Sequence, residues 1–283
     1  MSERDYCSLR NPDETLAGTA PHADVWLLLE YRPAWKARAH QDNELSCEVR
    51  GWLDDAISLL SEAGFRPKLQ FIRQPEIDQV DTRLFIGVAD RLLSFSGTGY
   101  DFLSQLDLLQ VVRRPELYPA LVEPRYFVCT NGQRDVCCAR FGLRSYAALR
   151  EQVGDRVWQI THLGGHRFAP NLLVFPQAAM YGRVSEDDVP EFVGIIEAGD
   201  WDFARLRGRC RYPGHVQAAE ITAARSDLKL LHVAGDEQTA QITLNAGEDT
   251  VKIQVQRSSR AIATVKSCGA EAEAVFPYNC QLL

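Results

Sequence analysis

One order of elements, strand–helix–strand–strand–strand–helix, can be read twice along this chain, on either side of a proline-rich stretch. In the first pass, "DVWLLLEY" (24–31) is an apolar run with the length of a buried strand. "NELSCEVRGWLDDAISLLSEAG" (43–64) follows as a helix, with Val49, Trp52, Leu53, Ile57, Leu60 and Ala63 on one apolar face, Asn43 as cap and Gly64 as stop. "KLQFIR", "RLFIGVAD" and "LLSFSG" read as three strands, and "DFLSQLDLL" (101–109) as a short helix. Residues 110–124, "QVVRRPELYPALVEP", hold three prolines and no period, and read as the link between two domains. In the second pass, "RYFVC" (125–129) is a strand and "FGLRSYAALREQVG" (141–154) contains a helix. "RVWQIT" (156–161), "NLLVFP" (171–176) and "MYGRV" (180–184) are strands. "SEDDVPEFVGIIEAG" (185–199) is a helix with Ser185 as cap, acids in its first turn and Gly199 as stop.

No residue-level repeat accompanies this repeated order. The order itself is the core of a thioredoxin-like fold, so the expected class is α/β with two tandem thioredoxin-like domains. The expected division is an extended N-terminal arm over 1–22, a first domain over 23–122, a second over 123–200, and an extension over 201–283. That extension holds a helix, "GHVQAAEITAAR" (214–225), and a small antiparallel sheet from "KLLHVA", "AQITLNAG", "TVKIQVQ" and "AIATVKS", with "NAGED" as a hairpin turn.

Composition narrows the function. A net charge of −7 argues against nucleic acid as a partner, because such proteins usually carry a basic face. No apolar run approaches the roughly 18 residues of a membrane helix. The opening "MSERDYCSLRNPDE" has no apolar core of the signal-peptide kind, so a cytoplasmic protein is expected. In such a compartment eight cysteines do not make a disulfide framework.

Two places stand out. "CTNGQRDVCC" crowds three cysteines, at 129, 137 and 138, into ten residues, and "THLGGHRFAPN" (161–171) sets His162 and His166 four apart around a Gly-Gly hinge. Two glycines weaken a helix by about 1 kcal/mol each relative to alanine, so the histidines are not the helical pair of a zinc protease, whose glutamate is also missing. On a thioredoxin-like plan, the loop after the first strand and the loop between the second and third strands open at the same end of the sheet. The cysteines and histidines of the second domain would meet there, while the corresponding loops of the first, 32–44 and 74–81, hold only His40 of these residue types. That first copy reads as degenerate. Thiolates and imidazoles together make a four-ligand set for zinc or an iron–sulfur cluster. Structural zinc sites bring cysteines two to four residues apart. Eight residues separate Cys129 from Cys138, a spacing that suits a wider object such as a [2Fe–2S] unit.

These two motifs together resemble the sucrase/ferredoxin-like family, whose domain is a thioredoxin-like [2Fe–2S] ferredoxin. The pattern is Cys-x8-Cys with Arg-Asp before the second cysteine, then His-x-Gly-Gly-His-Arg/Lys-Phe-Ala. It is matched here by Cys129, Arg134, Asp135, Cys138, His162, Gly164, Gly165, His166, Arg167, Phe168 and Ala169. The likeness covers roughly residues 6–225, and departs at Asn131, where members often carry histidine, and at Pro170. It implies Cys129, Cys138, His162 and His166 as cluster ligands. Cys137 then reads as a spare neighbour, Gly164 and Gly165 let the backbone approach a cluster and turn both imidazoles inward, and Arg134 and Asp135 are either a surface pair or groups that hold the loop and bond to cluster sulfur. Cys7, Cys47, Cys210, Cys268 and Cys280 read as free thiols without a role.

Two neutral histidines in place of two thiolates raise the potential of such a cluster. Rieske centres run at about −150 to +300 mV, against about −400 mV for plant-type ferredoxins. A solvent-facing imidazole can also couple proton to electron transfer. One-electron exchange with a flavoprotein reductase or another ferredoxin is expected. The rival readings are a structural zinc module on the same four residues and a thiol–disulfide oxidoreductase using Cys137 and Cys138. The second rival lacks C-x-x-C. No pair of carboxylates is recognisable as a sugar-cleaving site.

Overall fold

The protein is described from a computed structural model, over residues 6–247 and 249–283. A one-turn helix, α1 (Cys7–Arg10), interrupts the N-terminal arm. The first half is β1 (Val25–Glu30), α2 (Cys47–Glu62), β2 (Pro67–Arg73), β3 (Asp81–Val88), β4 (Arg91–Thr98) and α3 (Leu108–Arg113). The second half is β5 (Arg125–Cys129), α4 (Val136–Val153), β6 (Val157–Ile160), β7 (Leu172–Phe175), β8 (Ala179–Tyr181) and α5 (Val189–Glu197).

Each half pairs its strands alike. The first strand runs parallel to the second and antiparallel to the third, and the third is antiparallel to the fourth. The halves are not separate sheets. β2 and β6 pair antiparallel at Ile72–Ile160 and Arg73–Gln159, which fuses them into one α/β sheet of nine strands. The ninth, β9 (Leu206–Arg209), joins at the β8 edge.

Because side chains alternate along a strand, each strand serves two layers. Val25, Leu27 and Leu29 of β1 pack in one cluster with Leu53, Ala56 and Leu60 of α2 and with Val111 and Val112 of α3. Tyr126 and Val128 of β5 pack with Tyr146 and Leu149 of α4 and Phe192 of α5. The alternate residues turn to the opposite face, where Trp26, Phe85, Phe127, Trp158 and Phe175 from both halves make one shared cluster. Phe85 meets Phe127 and Trp158 edge-on at 5.8 and 5.4 Å. Cys129 lies two residues beyond Phe127 and belongs to this shared layer, as does Cys138.

Several helix boundaries differ from those expected. The cap of α2 is Ser46, which accepts from Val49 N–H. Asn43 instead closes a turn, donating to the carbonyls of Ala39 and His40 and accepting from Leu45 N–H. The expected link 110–124 begins inside α3, because Asp107 caps that helix and it buries Val111 and Val112. Most consequentially, α4 starts at Val136 and not near 141. Asp135 is its cap, accepting from Cys137 N–H at 2.9 Å, so Cys137 and Cys138 lie in the first turn of the helix rather than before it.

Beyond β9 come α6 (Gly214–Ala223), β10 (Lys229–Gly235), β11 (Thr239–Ala246), β12 (Asp249–Arg257), β13 (Ile262–Val265), β14 (Ala272–Val275) and β15 (Tyr278–Leu282). β10, β11, β12 and β15 form a second antiparallel sheet under α6. The "NAGED" turn includes Glu248, which lies outside the described residues, as do 1–5 of the arm; the flanking β11 and β12 pair antiparallel. β13 and β14 make a separate hairpin that returns to the N-terminal arm. There Asn11 bonds both ways to the backbone of Val265, at 3.0 and 3.3 Å. Among the described residues, no helix is long and apolar enough to cross a membrane.

Candidate metal centre

β5 and β6 run parallel, so their C-terminal ends lie side by side. Cys129 closes β5, Cys138 follows in the first turn of α4, and His162 stands two residues past β6. Their Sγ and imidazole nitrogen atoms all lie within 4.8 Å of one another. His162 Nδ1 is 3.9 Å from Cys129 Sγ and 3.7 Å from Cys138 Sγ. The two sulfurs are buried, and a hydrogen bond from Cys138 holds the Cys129 thiol well below its ordinary range, against the opposing effect of burial and with help from His162.

His166 belongs to the same place by a different geometry. Its ring stacks at 4.8 Å and 32° on that of His162, but its nitrogens fall outside the close set of three. Nε2 is 2.6 Å from Ser267 Oγ and 3.6 Å from Asp135 Oδ2. Nδ1 is buried and has no hydrogen-bond partner. Burial pushes the His166 pKa below the usual histidine value, with Asp135 opposing, so the neutral ring is favoured. A neutral imidazole with one nitrogen anchored and the other open is the form in which histidine binds metals.

The hinge between the histidines is held from beneath. Gly164 and Gly165 adopt φ of +89° and +73°. A Cβ on Gly165 would meet Arg207 Nη2 at 2.6 Å. Arg207 is fully buried and donates from Nη1 to Gly164 O at 2.9 Å and Asn171 Oδ1 at 2.8 Å, and from Nη2 to Thr19 O at 2.6 Å. Asn171 in turn donates to Gly165 O at 2.9 Å. Burial pulls the Arg207 pKa down to about 9. Sequence reasoning missed Arg207 and Asn171, since neither stands in a ligand motif; Asn171, at the foot of β7 in an apolar run, was the only visible hint. Ala169–Pro170 is a cis peptide.

The other expected residues divide. Arg134 is exposed and lines an opening beside His162, together with Arg38, His40 and Asn131. Asn131 is buried, donates to Lys36 O at 3.1 Å and leaves Oδ1 without a partner. Asp135 caps α4 and faces Cys268, accepting its N–H at 3.0 Å. Cys137 and Cys138, adjacent in sequence, point into different groups. Cys137 Sγ lies 3.6 Å from Cys7 Sγ and 3.3 Å from Cys268 Sγ, so those two thiols, which read as lone in sequence, are brought together. A hydrogen bond from Cys7 draws the Cys137 pKa down to about 6, against burial, with Ser8 assisting. All eight cysteines are unpaired.

The first half shapes the approach. A cleft of about 850 Å³ opens beside His162, walled by Arg50, Asp54 and Ile57 of α2, Lys68 and Gln70 of β2, and His40.

Comparison with known proteins agrees with the motif. A curated relative, "Altered inheritance of mitochondria protein 32" of Meyerozyma guilliermondii, is 33% identical over 102 residues, or 32% of this chain and 34% of its own length. The match thus spans about a third of that relative. No solved structure matches the chain significantly. The family model described as sucrase/ferredoxin-like matches residues 16–200, from the arm through the Cys-x8-Cys and His-Gly-Gly-His segments to the end of the second half, and the chain belongs to that family.

Proposed function

We propose that this chain is an electron-transfer protein whose [2Fe–2S] cluster is held by Cys129, Cys138, His162 and His166. The reading rests above all on one juxtaposition. Two buried thiols and an imidazole converge within 4.8 Å, and beside them the buried Nδ1 of a second imidazole has no partner. Sulfur and imidazole donors suit iron–sulfur chemistry, and the orphaned nitrogen is costly to leave buried without a bond. When bound, such a cluster supplies a one-electron couple whose potential two neutral histidines raise. The surrounding residues then have definite tasks. Ser267 and Asp135 fix the far nitrogen of His166 and so aim Nδ1. Leu163, Phe168 and Met180, all buried, exclude water from beneath. Arg207 places a buried cation behind the hinge, which favours added negative charge in the pocket. His162 borders the open cleft, so its Nε2 is the atom placed to exchange a proton with solvent.

The strand pairing of each half supports reading the two as tandem thioredoxin-like units, the first without a site. That first unit keeps a role as a wall of the cleft. Arg38, Arg50, Lys68 and Arg134 surround the opening, with Asp54 among them. A redox partner with an acidic docking face, a flavoprotein reductase or another ferredoxin, fits there. Unpaired thiols suit a reducing compartment such as the cytosol.

The deciding experiment measures iron, acid-labile sulfide and the EPR spectrum of the dithionite-reduced protein. Two irons and two sulfides per chain with a rhombic signal are expected; a colourless protein retaining zinc on these residues overturns the proposal. His162→Cys should keep the cluster, lower its potential and flatten its pH dependence. An unchanged potential removes His162 from the ligand set.

A further inference from the structure

Three thiols distant in sequence meet beside this pocket without belonging to it. Cys7 comes from α1, Cys137 from the first turn of α4, and Cys268 from the loop between β13 and β14. Their sulfurs form a near-equilateral triangle, with edges of 3.6 Å (7 to 137), 3.3 Å (137 to 268) and 3.7 Å (7 to 268). Asp135 supplies a fourth corner, its Oδ1 lying 3.2 Å from Cys268 Sγ and 4.0 Å from Cys7 Sγ. The four ligand atoms lie within 4.8 Å of one another. Cys7 and Cys137 are wholly buried and Asp135 nearly so.

A tetrahedral zinc ion with Zn–S bonds of about 2.3 Å keeps its sulfurs about 3.8 Å apart. The observed triangle is close to that size. A disulfide would need about 2.05 Å and would strand the third thiol. Two donors also face the sulfurs. Cys7 N–H donates to Cys268 Sγ and Ser8 Oγ to Cys137 Sγ, each at 3.4 Å. The Asp135 carboxylate is oriented by the N–H groups of Cys137 and Cys268, at 2.9 and 3.0 Å, and carboxylate oxygens keep further lone pairs for a metal. We infer that Cys7, Cys137, Cys268 and Asp135 form a closed, structural Zn²⁺ site, distinct from Cys129, Cys138, His162 and His166. A divalent ion replaces thiol protons, which leave to solvent, and turns mutual repulsion of three thiolates and a carboxylate into attraction. It ties the N-terminal arm and the β13–β14 loop to the start of α4. That loop carries Ser267, so the ion would also hold the partner of His166 in place.

The test uses the full chain carrying Cys129→Ser and His162→Ala, which disable the first set, under anaerobic reducing conditions. Added Co²⁺ should bind at one per chain, with a near-ultraviolet sulfur-to-cobalt band and intense tetrahedral visible bands that Zn²⁺ bleaches. Further replacement of Cys7 and Cys268 by serine should take the stoichiometry from one to none. Absence of the sulfur-to-cobalt band, or a band that persists without Cys7 and Cys268, overturns the inference. A measurement on the unaltered chain guards against a variant that fails to fold. Zn²⁺ should slow alkylation of half-buried Cys268, read by mass spectrometry, and leave exposed Cys47 unchanged. Equal labelling with and without Zn²⁺, or a Cys137–Cys268 disulfide under the same conditions, also defeats it.

Discussion

At the end of β1 the chain enters a loop that closes on itself, and at the end of β5 it enters a loop that leaves cysteine and histidine side chains facing one another. After β1, Trp35 Nε1 donates to Tyr31 O at 3.1 Å, and Tyr31 OH accepts from Glu44 N–H at 2.9 Å. The buried Glu30 carboxylate receives Arg32 Nε at 2.9 Å and Arg83 N–H at 3.1 Å. After β5, Cys129 and Cys138 face His162, while Asn131 Oδ1 and His166 Nδ1 are buried without partners. Two halves with the same strand pairing therefore differ in whether their loops satisfy themselves. Buried polar groups are nearly always bonded, so the two orphaned atoms mark the second loop as the one whose polar groups are not met from within.

The strongest way to break this comparison is to truncate one residue from each loop. Cys129→Ala should abolish bound iron while the chain stays folded, since the change removes one sulfur from a packed layer. Trp35→Ala should do the reverse, keeping the iron-to-protein ratio of the folded fraction and lowering stability by about 3 kcal/mol, the usual cost of a buried large-to-small change. Metal analysis beside urea denaturation reads both. Iron retained by Cys129→Ala, or lost from folded Trp35→Ala, would dissolve the division between a working half and a structural one.

Glycines sharpen it at the next level. Gly64, after α2, has φ of +88° and open space around its Cβ position, whereas Gly165 has both positive φ and the Arg207 guanidinium against it. Gly64→Ala should cost about 1 kcal/mol of left-handed strain. Gly165→Ala should cost about 2 kcal/mol or more, because Arg207 must also move off Gly164 O. Equal losses in thermal denaturation would mean that Arg207 does not brace the hinge.

These contrasts also explain what could be read from the sequence. Apolar runs such as 25–30 and 125–129 declare buried strands, and two parallel strands that end together are enough to bring Cys129, Cys138 and His162 to one place. The start of α4 was hidden because Val136 is exposed and the first buried positions of the helix are cysteines, which read as chemistry and not as a helix face. β9, "LRGR", was illegible because its buried residues include two arginines. Arg207 is satisfied by backbone and amide groups and Arg209 by Glu220, contacts that only folding creates. Nothing in their spacing links Cys7 to Cys268, 261 residues apart. The β13–β14 hairpin that joins them was only half visible, since β14 has a nearly exposed "AEAV" pattern.

The smallest expected contrast concerns the helices that close each half. Asp107 caps α3 by accepting from Gln110 N–H at 2.9 Å. Asp188, at the entry to α5, accepts from Ser185 N–H at 2.9 Å and from Arg205 Nη2 at 2.6 Å. Burial raises the Asp188 pKa, but these bonds outweigh it and the net shift is downward. A carboxyl whose folded pKa lies below its ordinary 3.8 contributes stability that is complete above that value and is lost as the pH falls through the folded one. Asp107→Ala should cost about 1 kcal/mol at neutral pH, as cap removals do. Asp188→Asn should cost a similar amount, about 1 kcal/mol, at pH 7. Because the wild-type carboxyl protonates as the solution is acidified, its deficit should shrink below pH 3.8. Urea midpoints for wild type and Asp188→Asn at neutral and acid pH measure this directly. A deficit that stays constant down to the acid limit would show that Asp188 acts through shape and neutral hydrogen bonding alone, and α5 would then be closed no differently from α3.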